Sequence, residues 1–210
     1  YRDNIEIIPN FVDTKIFNPE NEGDDVREQC QDKLLILYPR NFGYGRGAVT
    51  MIQAISLLTE RYDRLLLLMT GDGPEKPAAQ ELVKRLKLEE NVRFVGHLDH
   101  FKQMPRLYAA ADIVVIPSVS VEGTSLSCLE AMATRRPVVV TNVGGLIDIV
   151  IDQFNGLVCK PNRTSLAQSL EKLIVDKRLR LTLADQGYEW VSKYHNYERW
   201  CKRYKEFFDI

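Results

Sequence analysis

Cysteine and histidine are both scarce in this sequence. Its four cysteines lie far apart among 210 residues, without a C-x-x-C pair, which excludes a disulfide-stabilised scaffold and predicts free thiols in a reducing compartment. Of the three histidines, His97 and His100 stand near each other with no cysteine or third histidine close by. We therefore expect these two to be loop residues and expect no metal site. His195 stands alone in the C-terminal tail. The cysteines are Cys30, Cys128, Cys159 and Cys201.

A strong net charge and long apolar runs are also missing. The formal net charge is -1, which gives no indication of a polyanion binder, so nucleic acid is not an expected partner. Apolar runs such as Leu65–Met69 are far shorter than the roughly 20 residues of a membrane span. With 45% hydrophobic and 27% charged residues, the composition is typical of one globular domain, with or without an appendage.

What the sequence has in plenty is an alternation of apolar runs with helical patterns. Runs of strand length that are apolar at nearly every position are typical of parallel strands buried on both faces. Their alternation with helices predicts an α/β fold, a Rossmann-like, doubly wound parallel sheet in three αβα layers. The polar stretch Asn18–Gln31 is predicted to be an exposed connection. The strand-like runs are Ile5–Ile8, Leu34–Tyr38, Leu65–Thr70, Val92–Val95, Ile113–Ile116, Val138–Thr141 and Leu157–Cys159. The helical patterns are Ala48–Arg61, Ala78–Leu88, Pro105–Ala111, Ser125–Thr134, Leu166–Val175, Leu179–Lys193 and Tyr197–Phe208.

Ligands of such sheets bind outside the carboxyl ends of the strands, so the loops that follow the strands are the places to search. After Ile113–Ile116 the chain runs through Glu122-Gly123-Thr124-Ser125 into a helix. A helix N-terminus offers unpaired N–H groups and a partial positive charge, which together form an anion site. We expect a phosphate against the amides of Ser125 and Leu126, with Gly123 allowing close approach of the backbone.

Two glutamates flank this predicted phosphate site. Glu122 precedes the helix and Glu130 lies inside it, roughly 9–12 Å further along by helix rise. Carboxylates that far apart suit two hydroxylated parts of one long ligand, and a nucleotide-sugar has that layout of sugar, diphosphate and ribose. The alternative, two solvated surface glutamates, is the commoner explanation for the spacing taken alone.

The stretch "PRNFGYGRGAV" places Arg40 and Arg46 around a glycine-rich turn, and arginines match phosphate oxygens. Solvated loop arginines are the simpler alternative. A second alternative is that Gly43–Ala48 fits the dinucleotide fingerprint G-x-G-x-x-A, which would make the protein an NAD-dependent oxidoreductase. Against it, Pro39–Phe42 separates the strand from the first glycine, and only Asp72 could supply the expected acidic residue. Gly144-Gly145 forms another close-approach turn.

Taken together, these stretches resemble a known family. They occur in order over nearly the whole chain, and the sequence is similar to the C-terminal half of a retaining glycosyltransferase of the GT-B fold, in family 4 of these enzymes. The stretches are "IEIIPNFVDTKIFNP", "PRNFGYGRG", "LLLMTGDGP", "NVRFVGHL", "LYAAADIVVIPS", "EGTSLSCLEAMATRRPVVVTNVGG" and "NGLVCKP".

The resemblance implies a hexosyl transfer from a UDP- or GDP-sugar, with no metal and no cofactor beyond this co-substrate. Glu122 would hold the transferred sugar, Glu130 would bind the ribose hydroxyls, and Arg40 and Arg46 would neutralise the diphosphate. Backbone N–H groups of Thr124, Ser125 and Leu126 would bind the phosphates, with Gly71 and Leu98 near the base. The family usually has a lysine at Arg46, and an aromatic residue and a glycine at Thr124 and Ser125.

The resemblance also implies a division of the chain. We expect residues 1–16 to be a linker and first strand, 17–193 the donor-binding domain, and 194–210 an aromatic-basic helix that packs on protein. A membrane-surface helix is the alternative for this last segment. The N-terminal, acceptor-binding domain would be missing, so the fragment alone is expected to be inactive. Its acceptor would be a glycan, a lipid or a small molecule, in the cytoplasm or at the inner face of the membrane, where a lipid-linked acceptor would lie. A non-catalytic sugar-phosphate binding module stays an alternative.

Overall fold

The computed structural model of the protein describes residues 7–30, 32–120 and 122–208. Within them, six parallel strands form a sheet with the order β3-β2-β1-β4-β5-β6. This order confirms the predicted doubly wound α/β fold. The strands are β1 Leu34–Tyr38, β2 Leu65–Thr70, β3 Val92–Gly96, β4 Ile113–Ile116, β5 Val138–Thr141 and β6 Leu157–Cys159.

Helices cover both faces of the sheet, because alternate side chains of each buried strand point to opposite sides. Along β1, Ile36 and Tyr38 pack with α2, α3 and α7, whereas Leu35 and Leu37 pack with α4, α5, α6 and α8. The helices are α1 Asp24–Gln29, α2 Ala48–Thr59, α3 Lys76–Arg85, α4 Met104–Ala110, α5 Leu126–Ala133, α6 Leu146–Ile149, α7 Arg163–Val175, α8 Lys177–Tyr194 and α9 Tyr197–Phe208.

Helix α1 corrects the expectation that Asn18–Gln31 is only a connection. No residue of α1 is buried, and ion pairs hold it in place, including Arg27 Nη1 with Asp112 Oδ2 at 2.7 Å. Gly23 lets the start of α1 lie against α4, since a Cβ there would be 2.6 Å from the amide nitrogen of Ala110. Without a buried apolar stripe, the sequence carries no helical periodicity to detect.

The N-terminal segment packs on the junction between α8 and α9. The amide of Val12 donates to the carbonyl of His195 at 2.8 Å, and the ring of Phe11 lies 5.0 Å from that of Trp200. His195, expected to stand alone in a tail, is instead 8% exposed, and its Nδ1 lies 3.2 Å from the carbonyl oxygen of Asn10. Burial lowers the pKa of His195.

The strand predicted over Ile5–Ile8 falls partly on residues 5 and 6, outside the described residues, and Ile7 and Ile8 are not in a strand. Helix α9 has the predicted bounds, but none of its residues is buried, and Phe207 and Phe208 are exposed. No helix in the described part of the chain has the length and apolar character needed to cross a membrane.

Candidate functional site

The loops that follow β1, β4 and β5 fit against one another without space for side chains. A Cβ on Gly47 would lie 1.8 Å from the carbonyl oxygen of Pro117, and one on Gly144 would lie 2.0 Å from that of Glu122. Both glycines have positive φ, 81° and 53°, which other residues rarely adopt. The amide of Gly145 also donates to the carbonyl of Glu122 at 2.9 Å. Glycine-rich turns on either side therefore fix the backbone at Glu122.

Gly71, at the end of β2, lies against the backbone next to Arg40. A Cβ on Gly71 would be 2.9 Å from the carbonyl oxygen of Arg40 and 2.8 Å from Cα of Asn41. The amide of Gly71 donates to the carbonyl of Gly96 at 2.6 Å, which connects this turn to the end of β3. The ends of five neighbouring strands, β3, β2, β1, β4 and β5, thus contribute to one edge of the sheet, as expected for ligand sites of this fold.

Arg40, Arg46 and Glu122 meet at this edge. Oε2 of Glu122 accepts a hydrogen bond from Nη2 of Arg40 at 2.7 Å and one from Nη1 of Arg46 at 2.6 Å. It accepts a third from the Oγ of Ser118 at 2.7 Å. The Arg40 and Glu122 side chains are each 7% exposed, and that of Arg46 is 34% exposed. The structure therefore brings together three residues from two different loops, Arg40 and Arg46 from the loop after β1 and Glu122 from the loop after β4.

Ser118 is a member of this cluster that the sequence did not single out. It is fully buried, and its carbonyl accepts a hydrogen bond from the Oγ1 of Thr141 at 2.6 Å. A serine in a polar turn is common and carries no signal of its own. Its function here is to hold the Glu122 carboxylate from the side of β4 and β5.

The electrostatic balance of the cluster favours a further negative charge. Burial opposes ionisation of Glu122, but the Ser118 hydrogen bond and the charges of Arg40 and Arg46 outweigh it, so the pKa of Glu122 is lowered. Two guanidinium groups then face one carboxylate, which leaves the three side chains with a net positive charge. In addition, Nη1 of Arg40 is buried and has no hydrogen-bond partner among the described residues. A buried donor without an acceptor is unfavourable, so this atom suits an anionic ligand.

The N-terminus of α5 adjoins the cluster. The Oγ of Ser127, in the first turn of α5, donates to the carbonyl of Pro39 at 3.1 Å, next to Arg40. Ser125 is the N-cap residue of α5, although its side chain makes no capping hydrogen bond. Leu126 is exposed, and a Cβ on Gly123 would have no atom within 4 Å. Ser125 itself is buried, and the Thr124 carbonyl accepts a hydrogen bond from Nδ2 of Asn10 at 3.5 Å.

Glu130 lies in a second cluster, with Tyr108 and His100. The hydroxyl of Tyr108 donates to Oε2 of Glu130 at 2.8 Å, and Nε2 of His100 lies 3.4 Å from Oε1. Glu130 is 5% exposed, and burial raises its pKa although both neighbours oppose the shift. Among the described residues, no hydrogen bond or ion pair joins Glu130 to Arg40, Arg46 or Glu122. His100 is a loop residue, as predicted, but its contact with Glu130 was not predicted.

Leu98, expected near a base, is partly buried and packs against the core on the Tyr108 side of the sheet. It lines a cavity of about 200 Å³ together with Leu68, Val95 and Arg93. No group of three or more His, Cys, Asp or Glu side chains within residues 7–30, 32–120 and 122–208 is arranged to hold a metal ion. All four cysteines are free thiols, as predicted.

The sequence profile of the family described as glycosyl transferases group 1 matches residues 21–190 of this chain. Alpha-D-kanosaminyltransferase of Streptomyces kanamyceticus is 30% identical over 166 residues, covering 78% of this chain and 42% of that protein. The solved C-terminal domain of a glycosyl transferase group 1 family protein from Francisella tularensis is 28% identical, with a TM-score of 0.79, covering 89% of this chain and 99% of that one.

Anabaena HepE, solved in complex with UDP-glucose, has a TM-score of 0.89 at 22% identity, covering 97% of this chain and 57% of that one, a likeness of fold. GT-B glycosyltransferases are thus the structural neighbours of the sheet described above. The chain spans about half the length of the curated relatives it matches.

Proposed function

The chain belongs to the glycosyl transferases group 1 family, and we propose that it is the part of such an enzyme that binds a nucleotide-sugar donor. The observation that carries this proposal is the meeting of Arg40 and Arg46 at Glu122, beside the N-terminus of α5. Two guanidinium groups and a helix N-terminus are the chemistry that binds a diphosphate. HepE of Anabaena, which has this fold, binds UDP-glucose, and this supports the same class of ligand here.

The diphosphate is the leaving group of glycosyl transfer, and it gains negative charge as the bond to the sugar breaks. Nη1 of Arg40, buried and without a partner among the described residues, is placed to donate to one of its oxygens. Arg46, with a side chain that is 34% exposed, bounds the same cluster from the solvent side. Fixed positive groups aimed at developing charge lower the barrier without the need for a metal. Metal independence is part of this proposal.

Glu122 is assigned to the transferred sugar. Its Oε2 already accepts three hydrogen bonds, from Arg40, Arg46 and Ser118, which leaves Oε1 as the acceptor for a sugar hydroxyl. The lowered pKa keeps the carboxylate ionised, so it can also stabilise positive charge at the reacting carbon. Glu130, buried one turn and more into α5, is assigned to the ribose. Transfer of a hexosyl group with retention of configuration completes the proposal.

The acceptor side is proposed to come from another domain, because the chain spans about half the length of its relatives. On this proposal the chain binds a donor but transfers little or no sugar by itself, and the full protein works in the cytoplasm. The test is a transfer assay of these 210 residues beside the full-length protein. Robust turnover by the 210 residues alone would refute the need for a second domain.

Binding by this chain is tested with a thermal-shift panel of UDP-sugars, GDP-sugars, UDP, GDP, inorganic pyrophosphate and NAD. A ligand at 100 times its Kd adds about 2.7 kcal/mol of stability, so the true donor should give the largest shift. A shift with NAD and none with any nucleoside diphosphate would favour the oxidoreductase alternative. The structure offers that alternative little support, because Gly45 and Gly47 pack against Ser120 and Pro117.

A non-catalytic sugar-phosphate module would bind similar ligands, so binding alone does not exclude it. The discriminating variant is Glu122→Ala in the full-length protein. A transferase should lose turnover by a hundredfold or more, in the range seen when a charge-stabilising group is removed from an active site. A scaffold that never transfers sugar should show no turnover in either form.

A further inference from the structure

The two carboxylate oxygens of Glu130 face different surroundings. Oε2 accepts the hydrogen bond from Tyr108, which is fully buried, whereas Oε1 lies 3.4 Å from Nε2 of His100. The His100 side chain is 49% exposed, while that of Glu130 is 6% exposed. His100 is therefore the solvent-facing partner of this buried carboxylate. A ligand hydroxyl that bonds to Oε1 has to lie beside the imidazole.

The imidazole of His100 is held in place by two aromatic rings. Its centroid lies 5.4 Å from that of Phe17 and 4.9 Å from that of Phe101. Phe17 is 3% exposed and also meets Tyr108 edge-on at 5.9 Å. The buried ring of Phe17 thus contacts both residues that lie next to Glu130, His100 and Tyr108.

The loop that carries His100 is fixed by hydrogen bonds from its backbone amides to the side chains of Asp99 and Gln103. Oδ1 of Asp99 accepts from the amides of Phe101 at 3.0 Å and Lys102 at 2.8 Å. The side chain of Gln103 returns the contact, since its Oε1 accepts from the amide of Asp99 at 2.8 Å. His100 is therefore a preorganised group despite its exposure, and a ligand does not have to order it.

We propose that His100 is a specificity-determining residue that, together with Glu130, binds the cis-diol of the donor ribose. One hydroxyl donates to Oε1 of Glu130, and the adjacent hydroxyl hydrogen-bonds with Nε2 of His100. This inference rests on the proposed function, which places the ribose at Glu130. At 3.4 Å the direct contact between Nε2 and Oε1 is long for a hydrogen bond, so a hydroxyl can compete for the imidazole nitrogen.

The test is isothermal titration of the chain with UDP and GDP and with their 2′-deoxy and 3′-deoxy forms. For the nucleotide that binds, the wild-type chain should lose about tenfold in affinity with one of the two deoxy forms, the one that lacks the hydroxyl bonded to His100. In His100→Ala the difference in affinity between the ribonucleotide and this deoxy form should fall to about threefold. The variant has lost the hydrogen bond to the ribonucleotide, and the deoxy form does not make that bond in either protein. The deoxy form should bind both proteins equally.

His97→Ala is the matched control, because His97 lies on the same loop and is exposed, and no hydrogen bond or ion pair joins it to Glu130 among the described residues. The His97→Ala variant should keep the wild-type preference for the ribonucleotide over the deoxy form. Thermal unfolding of each variant checks that the protein is folded. An equal loss of ribo and deoxy affinity in His100→Ala, or an unchanged preference, would overturn the assignment of His100 alone. Failure of the wild-type chain to bind any of these nucleotides would overturn the proposed function, and this assignment with it.

Discussion

Nη2 of Arg40 donates to Oε2 of Glu122 across 2.7 Å, and both side chains are 7% exposed. The two residues come from the loops after β1 and β4, 82 positions apart in the chain. Their contact joins a group suited to a diphosphate with a group suited to a sugar. The same ion pair also contributes to the stability of the folded domain, because each buried charge is neutralised by the other.

Glu122→Ala should lower the free energy of unfolding by about 3 kcal/mol, since it leaves the buried Arg40 without its counter-charge. Urea denaturation followed by circular dichroism measures this loss. Glu81→Ala is the control, because Glu81 is exposed on α3, and its effect should stay within about 0.5 kcal/mol. Equal stability of the two variants would mean that the Arg40–Glu122 pair contributes nothing to the fold.

Gly144→Ala should destabilise the chain by more than about 1 kcal/mol and weaken nucleotide binding, because Gly144 has a positive φ and faces the Glu122 carbonyl. Gly123→Ala is the matched comparison for stability, since its Cβ would meet nothing within 4 Å. Thermal unfolding of both variants separates the two cases. If Gly144→Ala were as stable as Gly123→Ala, the close packing between these loops would be refuted.

Arg46→Gln should weaken binding of the preferred nucleoside diphosphate by about tenfold or more, the range for a lost hydrogen bond to a charged group. Arg46→Lys should stay within about threefold of wild type, because an ammonium group supplies the same charge at this partly exposed position. Isothermal titration at fixed salt concentration compares the variants. A lysine variant as weak as the glutamine variant would show that Arg46 acts through the geometry of its guanidinium.

Glu130→Gln should gain stability relative to wild type as the pH rises above about 4.5, the ordinary pKa of a glutamate. Burial raises the pKa of Glu130 in the folded chain, so the folded state retains a proton that the unfolded state releases. The stability from protonated Glu130 is complete below the unfolded pKa and is lost as the pH rises through the folded one. Denaturation midpoints of both proteins from pH 4 to 8 measure this trend. The ratio of their unfolding equilibrium constants should change by at most about tenfold per pH unit.

Glu122→Gln supplies the opposite case in the same experiment, because its pKa is lowered. The stability from ionised Glu122 is present above the unfolded pKa and is lost as the pH falls through the folded pKa. Parallel slopes for the two glutamine variants would contradict the assigned directions.

The sheet could be predicted because parallel strands buried on both faces are apolar at almost every position. The six runs from Leu34–Tyr38 onward became strands within one residue of the predicted bounds. The placement of Arg40 and Glu122 at one edge of the sheet followed from the same reasoning, because residues after parallel strands lie at one edge, whereas their direct contact was not predicted. In helix α2, the apolar character of a residue does not by itself tell whether its side chain is buried. Val49 is 36% exposed, whereas Met51 and Ile52 are fully buried, although all three are apolar.

The features that could not be predicted, helix α1 and the partners of Glu130, depend on contacts between residues far apart in the sequence. Helix α1 is held by ion pairs to Asp112 and Arg106, which leave no periodic pattern. The partners of Glu130 come from the loop after β3 and from α4, and no local pattern pairs Tyr108 or His100 with a glutamate in α5. Buried polar networks of this kind are set by the packed fold, so they become visible only in the structure.

The measurement that tests the central claim most directly is titration of the wild-type chain and Arg40→Gln with UDP, GDP and NAD. We predict that one nucleoside diphosphate binds the wild-type chain, that NAD does not, and that Arg40→Gln weakens the diphosphate by about tenfold or more while the variant stays folded. Binding of NAD in preference to both diphosphates, or equal diphosphate affinity in the folded Arg40→Gln variant, would contradict the claim that this edge of the sheet is a diphosphate site.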